Sequence, residues 1–259
     1  MDRRPGGWID ADEPEMVCRA SLDAAESARL RDTAQRNGVT VSTLMLGVWA
    51  SILAAYSGDD DVVFGIVVSN RPPELPNIDS MIGMLVNTLP LRVSVADLIP
   101  FWNWLRVLQR GQLDARDYEF TPLAQIHEWS GISRDTPLFE TLVAFQNHPG
   151  TRIASGPAAR SGLLSITDAR WTGPTNYPLL LRVGDGVKID FGLSYYRSRF
   201  ADATVARMLE DVQTLVRRAV DQPDLGLRDV PSRLQRQLLP LAPLLTDDFS
   251  FVPIRHFAS

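Results

Sequence analysis

Residues Asp61 to Arg92 read DVVFGIVVSNRPPELPNIDSMIGMLVNTLPLR, and they hold the two most strand-like runs in the chain with one loop between them. Val62, Val63, Phe64, Ile66, Val67 and Val68 form a short apolar run with β-branched residues, bounded by acidic and Asn-Arg-Pro segments. That composition predicts a strand buried on both faces. Met84 to Val95 predicts a second strand, ending in the alternation Leu91, Arg92, Val93, Ser94, Val95. Pro72, Pro73 and Pro76 interrupt the chain between the two runs, with Pro90 further on.

Outward from this pair, Met16, Cys18, Ala20 and Leu22 alternate with more polar neighbours as in a half-buried strand. Asp23 followed by Glu26 has capping-box spacing and Gly38 suits a C′ position, so Ala24 to Asn37 reads as a helix. Thr40 caps a second helix from Val41 to Tyr56, apolar around most of its girth and stopped by Ser57-Gly58; it is the expected central buried helix. Pro100 opens a helix to about Ala115, and Thr121-Pro122 serve as N-cap and N1 of a shorter one through Trp129, closed by Gly131. Leu138 to Phe145 and Leu163 to Trp171 are further strand candidates, separated by a Gly/Ala/Ser/Arg-rich loop at 150–161. Leu179 to Val183 and Val187 to Tyr196 flank Gly184-Asp185-Gly186, a hairpin loop whose residues can take positive φ. Asp202 caps an amphipathic helix carrying Val205, Met208, Leu209, Val212, Leu215, Val216 and Ala219 at helical spacing.

Strands interleaved with helices and one hairpin predict an α/β domain with a mixed β-sheet flanked by helices. Residues 1–15 form a polar lead, 16–221 the folded body and 222–259 a peripheral tail or linker. With 259 residues, 45% of them hydrophobic, the chain has ample material for a core. A net charge of −5, dispersed along the chain, gives no case for nucleic acid or an anionic membrane surface. Cys18 is the single cysteine, so no internal disulfide framework exists and a cytoplasmic location is expected. The charged, proline-containing opening lacks the apolar run of a signal peptide, and no segment reaches about 18 consecutive apolar residues.

Chemistry-bearing motifs are scarce. His127, His148 and His256 have no metal-ligand spacing, and GxSxG, GxxxxGK[ST] and strand-linked GxGxxG are absent. Asp59, Asp60 and Asp61 lack the Gly and Glu of a calcium loop and read as a solvated turn. No catalytic or metal-binding residue is therefore assigned.

A resemblance accounts for this scarcity. Ile82-Gly83-Met84-Leu85-Val86-Asn87-Thr88-Leu89-Pro90-Leu91-Arg92 resembles the IGxFVNTxxxR signature of nonribosomal peptide synthetase condensation domains, and Gly65 to Arg71 is similar to the segment that precedes it. Tyr118 to Leu123 resembles the QDxPFE-type segment as it occurs in a subset of members. Arg134 to Phe139 resembles RDxSxNPLF, and Thr175 to Leu179 and Leu193 to Phe200 look like later strands of the same domain. The matches run from about Val17 to Val220.

Such domains comprise two lobes, each similar to a chloramphenicol acetyltransferase-like unit, and every matching motif belongs to the C-terminal lobe. The resemblance implies that the HHxxxDG motif, which assists amine attack on a thioester, is supplied by an N-terminal lobe outside this sequence. It further implies no directly bound cofactor, with phosphopantetheine presented by partner peptidyl or acyl carrier proteins. Ser69, Asn70, Arg71, Asn87 and Thr88 are the implied substrate-binding positions near an interlobe tunnel, and Asn176 and Tyr177 the implied interlobe residues, exposed where the other lobe is lacking. The bland reading for these residues is that they satisfy buried backbone groups at strand ends. Partners expected are the N-terminal lobe and carrier proteins, or a homo-oligomer when that lobe is unavailable. A competing reading is a catalytically dead interaction module that docks a carrier protein or synthetase domain. A self-sufficient oligomeric acyltransferase would require one of the three histidines as base.

Overall fold

The structure is a computed structural model that describes residues 13–69, 71, 75–83, 85–95, 99–146, 175–222 and 225–226. The expected strand at Leu163 to Trp171, the 150–161 loop, and most of the lead and tail lie outside the described residues. Capping fixes the first two helices. Asp23 accepts from the Glu26 amide at 2.8 Å while Glu26 accepts from the Asp23 amide at 2.9 Å, which starts α1 (Ala24–Arg36). Thr40 caps α2 (Val41–Ser57), and Gly58, at φ 73°, ends it in the left-handed conformation. Every residue of α2 from Thr43 to Tyr56 is buried.

Among the described residues six strands form one mixed sheet in the order β1-β6-β5-β4-β2-β3. They are β1 (Met16–Ser21), β2 (Asp61–Ser69), β3 (Val86–Ser94), β4 (Thr141–Gln146), β5 (Leu179–Asp185) and β6 (Ile189–Tyr195). β4 runs parallel to both neighbours, and the remaining pairs are antiparallel. β3 starts two residues later than Met84, and β4 starts at Thr141 because Leu138 and Phe139 are buried as a turn against the sheet rather than paired in it. Pro90 sits inside β3, which is an edge strand, where a missing N–H costs no ladder bond.

The other α-helices among the described residues are α3 (Phe101–Asp114), α4 (Leu123–Trp129) and α5 (Asp202–Asp221). The N-caps of the last two differ from expectation. Pro122 takes the extended cap conformation itself in α4, and Ala201 precedes α5, freeing Asp202 to accept from Tyr195 and Arg197. The β5–β6 turn closes through Gly186, Val187 and Lys188 without a positive φ, so its glycines are not there for left-handed geometry.

Strand alternation sorts the core into two. Phe64, Val143, Leu181, Phe191 and Leu193 face a large cluster built with Trp49, Ile52, Leu105, Val212 and Leu215 of α2, α3 and α5, joined by Leu30 of α1. On the opposite face Leu138, Phe139, Leu142 and Leu180 form a smaller cluster with Leu123 and Ile126 of α4. β2 was expected to be buried on both faces; Val63 and Val67 are only half-buried, because α4 and the turn before β4 cover just part of that side. Further along the same side Arg182 donates to Ser194 Oγ and pairs with Glu15 at 3.2 Å, with both charged side chains about nine-tenths buried. No single described helix is long and apolar enough to cross a membrane.

Candidate functional site

Of the implied substrate-binding positions, Ser69, Asn87 and Thr88 meet at the end of the β2–β3 hairpin. The register Ser69↔Val86, Val68↔Asn87 and Val67↔Thr88 brings the strand ends together, with Ser69 exposed. Asn70 lies outside the described residues. Arg71 folds back on the loop: its guanidinium donates to the carbonyl of Ile78 and, at 3.2 Å, to that of Met81. Asn77 turns this loop at φ 60°, Ser80 Oγ donates to its carbonyl at 2.8 Å, and Ile78 is the buried anchor. Leu75, Met81 and Ile82 are left exposed around that anchor.

Asn87 Nδ2 donates to the carbonyls of Glu119 and Thr121, both at 2.8 Å. Neighbouring residues on a strand point to opposite faces, so Asn87 shares the side of Leu91 and Val93 while Thr88 shares that of Arg92. They cannot both line one surface. Arg92 is spent on Asp61, in a bidentate pair with contacts of 2.6 to 3.0 Å that raises its pKa. Asp59 accepts from the Asp61 amide at 3.0 Å, so this acidic run is a turn, as expected.

Asn176 is exposed before β5. Tyr177, expected to be exposed, is instead packed: its ring stacks on Phe139 with centroids 5.3 Å apart and planes 14° from parallel. An aromatic of that size finds the smaller core within reach, and its burial pushes the phenol pKa up. Behind it, the Tyr196 hydroxyl donates to the Thr175 carbonyl at 2.6 Å.

Proton-transfer groups are few among the described residues. His127 Nε2 is 2.9 Å from the Thr136 carbonyl and fastens α4 to the turn before β4. His148 and His256 lie outside the described residues. No group of three or more His, Cys, Asp or Glu side chains could hold a metal among those described. Two small clefts are lined by described residues. One, of about 50 Å³, lies between Ser57 and Phe139; the other, of about 70 Å³, lies between α1 and α5. The bracket from Asn87 to residues 119 and 121, and the buried Glu15–Arg182–Ser194 set, were not foreseen. A backbone carbonyl carries no sequence signature, so the first had none to offer.

The profile of the condensation domain matches residues 10–239. The chain belongs to the condensation-domain family. Among curated relatives, this condensation-domain chain is 35% identical over 239 residues to one linear gramicidin synthase polypeptide of Brevibacillus parabrevis, covering 92% of itself and 3% of that protein. It is 37% identical over 233 residues to a second polypeptide of the same synthase, covering 87% of itself and 5% of the relative. Among solved structures, it matches the X-domain from teicoplanin biosynthesis with TM-score 0.70 at 19% identity, covering 85% of itself and 51% of that chain. The condensation domain from monacolin K polyketide synthase gives TM-score 0.66 at 20% identity, with 83% and 49% coverage. The chain thus spans about half the length of these solved structures and a small fraction of the synthases.

Proposed function

We propose that this chain is the C-terminal lobe of a nonribosomal peptide synthetase condensation domain, working in the cytoplasm and contributing to amide-bond formation between carrier-protein-bound aminoacyl or peptidyl thioesters. The observation that carries the reading is the coverage: the chain matches about half of each solved relative over more than four-fifths of its own length. In this reaction an acceptor amine attacks a thioester carbonyl. The C–N bond forms, the C–S bond breaks, and the pantetheine thiol departs with the amine's proton. The base or hydrogen-bonding histidine belongs to an N-terminal lobe carrying HHxxxDG, without which the chain is inactive. Such a group contributes roughly 10²–10⁴-fold, and enclosure between two lobes adds positioning. His127 is held by Thr136 and is a poor substitute.

Phosphopantetheine arms on partner carrier proteins would deliver both thioesters. A site for a ligand of that size takes roughly 300–1,000 Å³. Neither of the two clefts described above approaches this. In the assembled domain Ser69, Asn70, Arg71 and Thr88 lie along the floor of the interlobe tunnel, Asn87 supports the same strand end from its other face, and Asn176 and Tyr177 lie near the crossing to the other lobe.

Native mass spectrometry of the endogenous protein tests the reading. Attachment to, or stable association with, a polypeptide carrying HHxxxDG is expected. A lone species near 28.8 kDa, or a homo-oligomer of it, would sink the reading and favour a catalytically dead docking module.

A further inference from the structure

The chain enters the sheet through Glu13-Pro14-Glu15, directly ahead of β1. Pro14 fixes its own φ and disfavours helical geometry at Glu13, so the run is stiff and extended, and its alternate side chains share a side. Both glutamates have partners in the folded body. The Glu13 carboxylate accepts from the Ser198 amide at 2.8 Å and from the Ser198 hydroxyl at 2.6 Å. Glu15 accepts from Arg182 of β5 at 3.2 Å, and the same guanidinium donates to Ser194 Oγ of β6, so one arginine ties three chain segments together. The turn that receives Glu13 is itself held. The Arg199 and Phe200 amides donate to the Tyr196 carbonyl at 3.0 and 2.9 Å, Arg197 pairs with Asp202, and Arg199 pairs with Glu140.

Stability alone does not account for these contacts. Glu15 and Arg182 are about nine-tenths buried, and a buried ion pair adds little over apolar side chains of the same volume. Glu13 sits on an exposed serine, where such a contact contributes little. The register of β1 has its own anchor in Leu22, which is 1% exposed and donates its amide to the Ile189 carbonyl at 2.9 Å. We propose that Glu13 and Glu15 form a two-point strap, received by Ser198 and Arg182, that sets the path by which the chain before residue 13 leaves the sheet. A single anchor would leave a pivot, whereas a second one two residues away defines a direction. Met16, Tyr195 and Leu179 lie abreast, so the strap stands at the end of the sheet where β4 and β5 start. β2 runs parallel to β4, so the β2–β3 connection is at the opposite end. The strap thus directs residues 1–12 away from that connection.

Amide exchange read residue by residue by NMR on the whole chain tests the strap, together with paramagnetic broadening from a nitroxide on Asp10→Cys in a Cys18→Ala background. Glu13→Ala removes an exposed contact and leaves the core untouched. It should speed exchange of the Ser198 amide by about fivefold or more while α2 stays protected. Glu15→Leu combined with Arg182→Met should keep the urea midpoint close to wild type and still speed exchange of the Met16 amide. In the wild type the broadening should fall on one patch around Ser198; in either variant it should weaken there and spread. Unchanged Ser198 exchange in Glu13→Ala, or broadening already spread in the wild type, overturns the strap. A double variant that keeps both Met16 protection and the wild-type broadening overturns the buried pair as the second anchor. A urea midpoint well below wild type assigns that pair to stability and overturns it as a directing contact.

Discussion

Gly65 has no room for a methyl group. A Cβ there would lie 2.2 Å from Leu142 Cδ2 and 2.4 Å from Phe139 Cε2. The leucine tip can rotate, but the Phe139 ring is pinned against Tyr177. Gly65→Ala should therefore lose about 1–3 kcal/mol in urea unfolding, as overpacked cores do, and combined with Leu142→Ala the loss should be smaller than the two single losses added together. In the sequence Gly65 was legible as part of a strand and of a motif-like segment, but the ring above it comes from far along the chain. Single-residue signals read well where the physics is local: the Asp23–Glu26 box, the Gly58 stop and the Asp59–Asp61 turn all sit as expected. They fail where a side chain answers to distant atoms, as Asn87 and Tyr177 do.

Among elements, α2 and α5 meet across a polar contact inside the main core. The Tyr56 hydroxyl donates to Asp211 Oδ2 at 2.9 Å, and Asp211 is only 7% exposed. Burial raises the Asp211 carboxyl above its ordinary 3.8, outweighing the Tyr56 bond and the nearby Arg207, while Glu210 pushes the same way as burial. The folded state thus holds this proton more tightly than the unfolded chain. The associated stability is full below the ordinary value and lost as pH rises through the folded one. Asp211→Asn keeps an acceptor for Tyr56 and removes the buried charge. It should melt above wild type at neutral pH, with the gap closing on acidification toward pH 3.8; a gap that persists unchanged in acid would mean that the Asp211 carboxyl holds its proton equally well in the folded and unfolded chain. The α5 face was readable from its spacing of Val205, Met208, Val212 and Leu215, because helical periodicity is a local property. The start of α5 was not, since Asp202 is claimed by Tyr195 and Arg197 rather than by the helix end.

In the molecule as a whole, Leu75, Met81, Ile82 and Val86 are exposed apolar side chains on the β2–β3 connection and the strand start that follows it. Without a complementing body the chain should self-associate through that connection, and sedimentation velocity should show Ile82→Ser less associated than wild type at equal concentration. A wild type that stays monomeric at high concentration would show the patch to be too dispersed to pair. The strand order could not be read from the sequence, because it depends on contacts between segments far apart in the chain. The mixed character of the sheet was readable, from apolar runs alternating with helices and from one hairpin. The order carries one consequence for synthesis. Among the described strands β1 pairs only with β6, Ser21 opposite Asp190, so the earliest of them to leave the ribosome lies at the sheet edge and its partner is the last of them to be made. At typical elongation rates of roughly 5–20 residues per second it waits on the order of ten seconds or more, an interval in which a nascent-chain chaperone would find Met16–Ser21 unclaimed.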